Sequence, residues 1–165
     1  MRAAIDNFTC RDENVGSFLK QKAIDFDKRN VSRTYIMLKR EALLNQDFVI
    51  AAYFTISIKT LDFSPSVSKR AIRDIDGFSK NADSATAVLI GQLGKDSIHG
   101  NEVSGTDILS AAVDLAYGVR SIAGSRIVFL ECEPIDKLLA FYDTNGFVRL
   151  QDNLKTGLVQ MVRFL

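Results

Sequence analysis

The chain has 165 residues, 47% of them hydrophobic and 25% charged, with a formal net charge of +1. That is enough chain to bury a core, and its composition excludes a disordered protein. No apolar run reaches the length of a membrane span. Two distant cysteines, Cys10 and Cys132, make neither a disulfide framework nor a metal-ligand set, and the lone His99 rules out a histidine-rich metal site. The start, Met-Arg-Ala-Ala-Ile-Asp-Asn, lacks the apolar stretch of a signal peptide, so one cytoplasmic domain over residues 1–165, with no bound metal and no membrane contact, is expected.

In chain order, Val15, Phe18, Leu19, Ala23 and Phe26 fall at helical spacing and predict one amphipathic helix over Asp12–Arg29. Thr34–Leu38 favours a strand, Glu41–Gln46 a connection, and Asp47–Ile58 a long strand that completes a hairpin. Leu61–Ala85 is polar and carries Pro65 and Gly77. It reads as a specificity loop with a short helix near Ser68–Asp74. Thr86–Leu93 is a buried strand, and Gly94–Gly105 a polar, glycine-containing loop. Ile108, Leu109, Ala112, Leu115, Ala116 and Val119 make the stripe of a following helix.

Ile127, Val128, Phe129 and Leu130 form an unbroken apolar run, which suits a strand covered on both faces. Ile135, Leu138, Leu139 and Tyr142 then share a helical stripe. Asn145-Gly146 ends that helix through the left-handed conformation glycine tolerates, and Phe147, Val148 and Leu150 begin another strand. Gly157–Leu165 is the last. The elements make one α/β domain around a mixed sheet.

Two features carry chemistry. A loop feeding a helix N-terminus gathers free N–H groups at the positive end of the helix dipole, which suits a phosphate. Glu131 and Glu133 flank Cys132, and strand alternation puts both carboxylates on one face. There a carboxylate either orients a cationic amine or accepts its proton through water; otherwise one glutamate caps the next helix and the other is solvated. Cys132 lacks a partner base and reads as a core residue. Between Met1 and Arg40 there are nine Lys/Arg against five Asp/Glu, a basic N-terminal third able to face an anionic partner or simply the solvated side of a helix.

The block Phe141-Tyr-Asp-Thr-Asn-Gly-Phe147 resembles the last motif of the GNAT superfamily of N-acetyltransferases. Phe8–Lys20, Val31–Ile36 and Tyr53–Ser57 sharpen the match toward the branch that includes acetyltransferase toxins of type II toxin–antitoxin systems. The Leu130-Glu-Cys-Glu segment resembles related proteins of Gram-positive bacteria with a divergent acetyl-CoA loop. The resemblance implies a central mixed, mostly antiparallel sheet flanked by helices, with splayed central strands. It implies acetyl-CoA as cofactor and direct attack by a primary amine.

On that basis Tyr142 serves the leaving thiolate and Glu131 the amine. Backbone at Leu93 and Gly94 pairs with the pantetheine arm. N–H groups of Gly100, Asn101, Val103, Ser104, Gly105 and Thr106 hold the pyrophosphate, and Asn145 supports the pantetheine or the turn. Aligned on the family's Gln/Arg-x-x-Gly-x-Gly/Ala pattern, Gly100 and Val103 depart from it and Gly105 keeps it. For a toxin the acceptor is an aminoacyl-tRNA, met by Arg33, Glu133, Lys69, Arg70 and Arg73; Arg33 is alternatively salt-bridged beside the hairpin. An antitoxin and a homodimer are the further implied partners. A small-molecule or protein amine, or a domain that binds acyl-CoA without turnover, are the other readings.

Overall fold

The strand-favouring runs become one sheet in the computed structural model, which describes all residues from Met1 to Leu165. Its strands are β1 (Arg33–Leu38), β2 (Ile50–Asp62), β3 (Ser84–Lys95), β4 (Ile127–Cys132), β5 (Val148–Asp152) and β6 (Val159–Phe164), in the order β1-β2-β3-β4-β6-β5. β3 and β4 run parallel; the β1–β2, β4–β6 and β5–β6 ladders are antiparallel. The sheet is the mixed, mostly antiparallel one that was expected. The parallel ladder pairs Val88–Ile90 with Val128–Leu130 and stops, although β3 continues to Lys95 and β4 to Cys132. In β5 the register shifts between Arg149 and Gln151, so Gln151 rather than Leu150 stands opposite Gln160. That is a β-bulge, one extra residue absorbed on one strand.

Helices α1 (Arg2–Asn7), α2 (Glu13–Gln21), α3 (Ala23–Lys28), α4 (Arg40–Leu44), α5 (Lys69–Asp76), α6 (Gly105–Ala123) and α7 (Asp136–Thr144) complete the chain. Several boundaries differ from the sequence reading. The single helix expected over Asp12–Arg29 is two, broken at Lys22, whose φ of −119° leaves the helical range. Burying both Leu19 and Ala23, at 1% and 2% exposure, fixes that bend by tertiary packing and not by a glycine or proline. The connection at Glu41–Gln46 contains α4. Gln46, at φ 62°, then turns the chain, so β2 begins at Ile50 instead of Asp47. Ile135 lies outside α7 as its N-cap, extended at φ −101° and ψ 121°, and is exposed.

By density of contacts the chain forms two compact units, one of Met1–Ser57 with Gly91–Ala112 and one of Ile58–Ile90 with Val113–Leu165. β2, β3 and α6 contribute residues to both. The first unit has a core of Ile5, Phe8, Leu19, Ala23, Ile50 and Tyr53. Phe8 and Tyr53 meet edge to face at 5.5 Å, and the fully buried Tyr53 donates its hydroxyl to the Val15 carbonyl. Gly94 packs so closely here that a Cβ would stand 2.7 Å from both the Tyr53 ring and Val15. The second unit centres on Leu61, Ile75, Ala87, Ile127, Phe129 and Val162. No helix is long and apolar enough to cross a membrane.

One buried acid organises the first unit. Asp96, 1% exposed, accepts from Thr9 N (2.7 Å) and Thr9 Oγ1 (3.3 Å) through one oxygen, and from Ile98 N (2.9 Å) and His99 N (2.6 Å) through the other. Burial pushes its carboxyl upward, but these hydrogen bonds outweigh burial and hold it below the ordinary value. Asp96→Asn puts an amide donor against N–H donors and is expected to cost about 2–3 kcal/mol in urea unfolding at neutral pH. Because the folded carboxyl titrates low, this contribution is complete above the unfolded value of about 3.9 and is lost as pH falls through the folded one. The difference between wild type and variant therefore shrinks in acid; a difference that grew there would contradict the assignment.

Candidate active site

The loop after β3 is built outward from Asp96. Ser97–His99 form a turn, Gly100–Glu102 a single 3-10 turn, and Val103 is extended at φ −118°. The β-branched Val103 therefore carries no strain, since the loop has a shape that does not ask for positive φ. Gly100 is required for a different reason. A Cβ there would stand 2.5 Å from the Lys95 side chain and 3.0 Å from the Ala51 carbonyl. Lys39 reaches over the loop to Glu102 at 3.1 Å.

At the start of α6, Ser104 and Asp107 form a reciprocal cap. The Ser104 hydroxyl accepts from Asp107 N (3.1 Å), while the Asp107 carboxylate accepts from Ser104 N (2.8 Å) and from its hydroxyl (2.7 Å). These bonds hold the Asp107 carboxyl below its ordinary value, the Ser104 hydroxyl first among them. Ser104 N is thus already engaged by an anion belonging to the chain. Gly105 N and Thr106 N have no protein acceptor and are the donors left at this helix end. Of the residues expected to hold a pyrophosphate, Gly100 N and Val103 N are turned inward to Asp96 O and Gly100 O. The Ser104-x-x-Asp107 spacing is a capping signature, and Ser104 is the residue whose hydroxyl caps the helix.

In the second unit, α7 closes as expected. Gly146, at φ 81°, lets Gly146 N bond Asp143 O and Phe147 N bond Tyr142 O, the paired bonds of a Schellman ending. Asn145 serves the turn: its Nδ2 donates to Phe141 O (2.7 Å) and its carbonyl accepts from Arg163 Nη1 (3.0 Å). The Tyr142 ring is 8% exposed and packs edge-on against Phe141 and Phe147. Its hydroxyl makes no hydrogen bond to the protein, yet is not among the buried polar atoms sealed from solvent. Burial, then the neighbouring Cys132 thiol, push the phenol up to about 12. Cys132 itself is raised by burial, partly offset by Arg149, so it stays a thiol in the core at neutral pH.

The two glutamates part company. Glu131, half-buried on β4, lines a cavity of about 450 Å³ together with residues of β2, β3, β5 and β6. Glu133 lies beyond the end of β4 and is exposed, so alternation does not carry it onto the Glu131 face; the strand ends before Pro134 instead. Neither glutamate caps α7, whose N-cap, Ile135, makes no side-chain bond. The basic candidates also divide. Arg33 is committed to Asp27 (2.6 Å) and Asn30 (2.6 Å), the salt-bridged arrangement beside the hairpin. Lys69, Arg70 and Arg73 are exposed on α5, with Arg70 loosely paired to Asp74 at 3.8 Å.

Neither a protein-family model nor a curated protein sequence matches the chain. Solved structures do. A Tyr-to-Phe variant of the toxin AtaT superposes with a TM-score of 0.74 at 17% identity, over 97% of this chain and 82% of that one. AtaT in a complex with acetyl-methionyl-tRNAfMet gives 0.73 at 18% identity, over 94% and 85%. A Tyr-to-Phe variant of KacT gives 0.72 at 20%, over 94% and 85%. At such identities the likeness speaks for architecture: the chain has the GNAT fold that these proteins share.

Proposed function

We propose that the chain is an acetyl-CoA-dependent N-acetyltransferase whose acceptor is the amino group of an aminoacyl-tRNA, a translation-blocking toxin restrained by an antitoxin. The fold supports this: AtaT has been solved with acetyl-CoA and the C-terminus of the antitoxin AtaR, and with acetyl-methionyl-tRNAfMet. The observation that carries the reading is Tyr142, a buried ring that ends in an unpartnered, solvent-reachable hydroxyl.

In the reaction the amine nitrogen attacks the thioester carbonyl, the C–S bond breaks and coenzyme A leaves as a thiolate, while the proton lost by the amine passes to water. A phenol at about 12 is protonated throughout the neutral range. Its work is to donate a hydrogen bond to the sulfur as negative charge develops there. Gly105 N and Thr106 N, at the positive end of α6, are the donors assigned to the pyrophosphate. Lys69, Arg70 and Arg73 are left as the basic set for tRNA phosphates.

One observation favours a second reading, an acyl-CoA-binding module without turnover. Asp107 holds negative charge at the helix end that would receive phosphate. The two readings separate in two measurements. Tyr142→Phe preserves the packing and is expected to lower kcat for acetyl transfer by about a hundredfold, with KM for acetyl-CoA little changed and the deficit flat across neutral pH. The same substitution is expected to relieve growth arrest on expression. Undiminished transfer would remove Tyr142 from the mechanism, and harmless expression of active enzyme would remove the toxin. Asp107→Asn keeps the cap but deletes its charge, and is expected to tighten acetyl-CoA binding by about two- to fivefold at low salt, fading as salt rises. Calorimetry that found acetyl-CoA bound by neither form would leave only an interaction module on this fold.

A further inference from the structure

The cavity beside Glu131 has a polar wall laid out as one cross-strand row. Glu131 on β4 pairs in register with Gln160 on β6, and Gln160 with Gln151 on β5. Gln151 and Gln160 are 7% and 8% exposed, so each amide must find its partners inside the protein. Their orientations are forced. Gln151 Oε1 accepts from Ser64 N (2.7 Å), and its Nε2 donates to the Asp62 carbonyl (2.6 Å); both partners are backbone groups of fixed polarity. Gln151 Nε2 therefore also faces Gln160 Oε1, and Gln160 Nε2 is left facing Glu131 Oε1 at 2.6 Å. Asn153 Nδ2 donates to the same oxygen at 2.8 Å. The relay can end only on an acceptor, and it holds one oxygen of Glu131 in place. The other oxygen, Oε2, accepts no hydrogen bond from the protein, and no lysine or arginine pairs with Glu131, although Lys59 and Lys155, together with Asp62 and Asp152, also line the cavity. A half-buried, unpaired carboxylate oxygen beside a cavity is a receptor for a cation. Phe63, Leu89 and Phe129 supply the apolar part of the lining, in a space of about 450 Å³, within the usual range for a small ligand.

We infer that this cavity binds a cationic primary amine carrying an apolar arm, with the ammonium on Glu131 and with Gln160 and Gln151 as positioning residues that fix the polarity of that carboxylate. The assignment rests on the function proposed above for its biological meaning, where the ligand is the aminoacyl end of the acceptor, but not for its chemistry. Glu131→Gln is the discriminating variant. It is isosteric, its Oε1 can still accept both amide donors, and its Nε2 then offers the cavity a donor where the carboxylate offered an acceptor.

The test uses leucine methyl ester as the probe and methyl 4-methylpentanoate, the same skeleton without the amine, as the control. Binding is followed by saturation-transfer NMR and calorimetry on the full chain. Wild type is expected to bind the amine ester and not the control. Glu131→Gln is expected to lose about tenfold or more in affinity, the scale of one charge-assisted hydrogen bond, without loss of thermal stability. Gln160→Leu, which frees Glu131 from one donor, is expected to raise KM for an amine acceptor more than it lowers kcat and to shift the pH profile of KM. Equal binding of the control ester, or unchanged binding by Glu131→Gln, would overturn the assignment. If wild type binds the amine ester through Glu131 yet fails to acetylate charged tRNA, the cavity stands and the tRNA reading falls.

Discussion

Both carboxylate oxygens of Asp96 are spent on fixing the N-terminal segment and the loop before α6 in place. One ties down Thr9, at the end of the N-terminal helix; the other collects Ile98 and His99 at the start of the loop before α6. Cys10 and Asp96 form an isolated antiparallel bridge at the same place, so the N-terminal segment is stitched to the end of β3 by backbone as well as side chain. Everything after it inherits this fixed origin: the 3-10 turn, extended Val103, the Ser104–Asp107 cap and the two free N–H groups of α6. A charged group buried this fully persists only because its neighbours over-satisfy it, which makes it a rigid fixture and not a spare contact.

The periodic parts of this fold were readable from residues. The apolar run Ile127–Leu130, the stripe of α6 and the Asn145-Gly146 ending each follow a local rule, and each is where it was expected. What escaped depended on distant partners. Lys22 breaks a helix because Leu19 and Ala23 pack into a core supplied by Phe8, Ile50 and Tyr53. Glu131 acquires its surroundings from Asn153 and Gln160, more than twenty residues further along the chain. Glu133 was misplaced for a local reason, since Pro134 ends the strand one residue too soon for alternation to apply.

The loop before α6 shows why a departure from a family pattern is a poor guide to strain. Val103 looked incompatible with a backbone made for glycine, but its conformation is ordinary. The consequential change is one of charge, since Asp107 brings an anion to a helix end whose dipole favours anions in general. Any phosphate held by Gly105 N and Thr106 N shares its helix end with that carboxylate. Affinity there becomes a balance between dipole and like charge, sensitive to ionic strength.

The bulge in β5 acts as a reading frame for the cavity wall. With regular pairing, the residue facing Gln160 would be Leu150; the one extra residue brings Gln151 into line instead. Were the bulge closed by a one-residue slip of β5 with every residue kept, Leu150 would stand opposite Gln160, an isobutyl group would replace an amide, and Gln160 would lose its partner, although β4 and β6 stayed the same. The ligand preference of this surface is therefore encoded in the register of a strand as much as in its side chains.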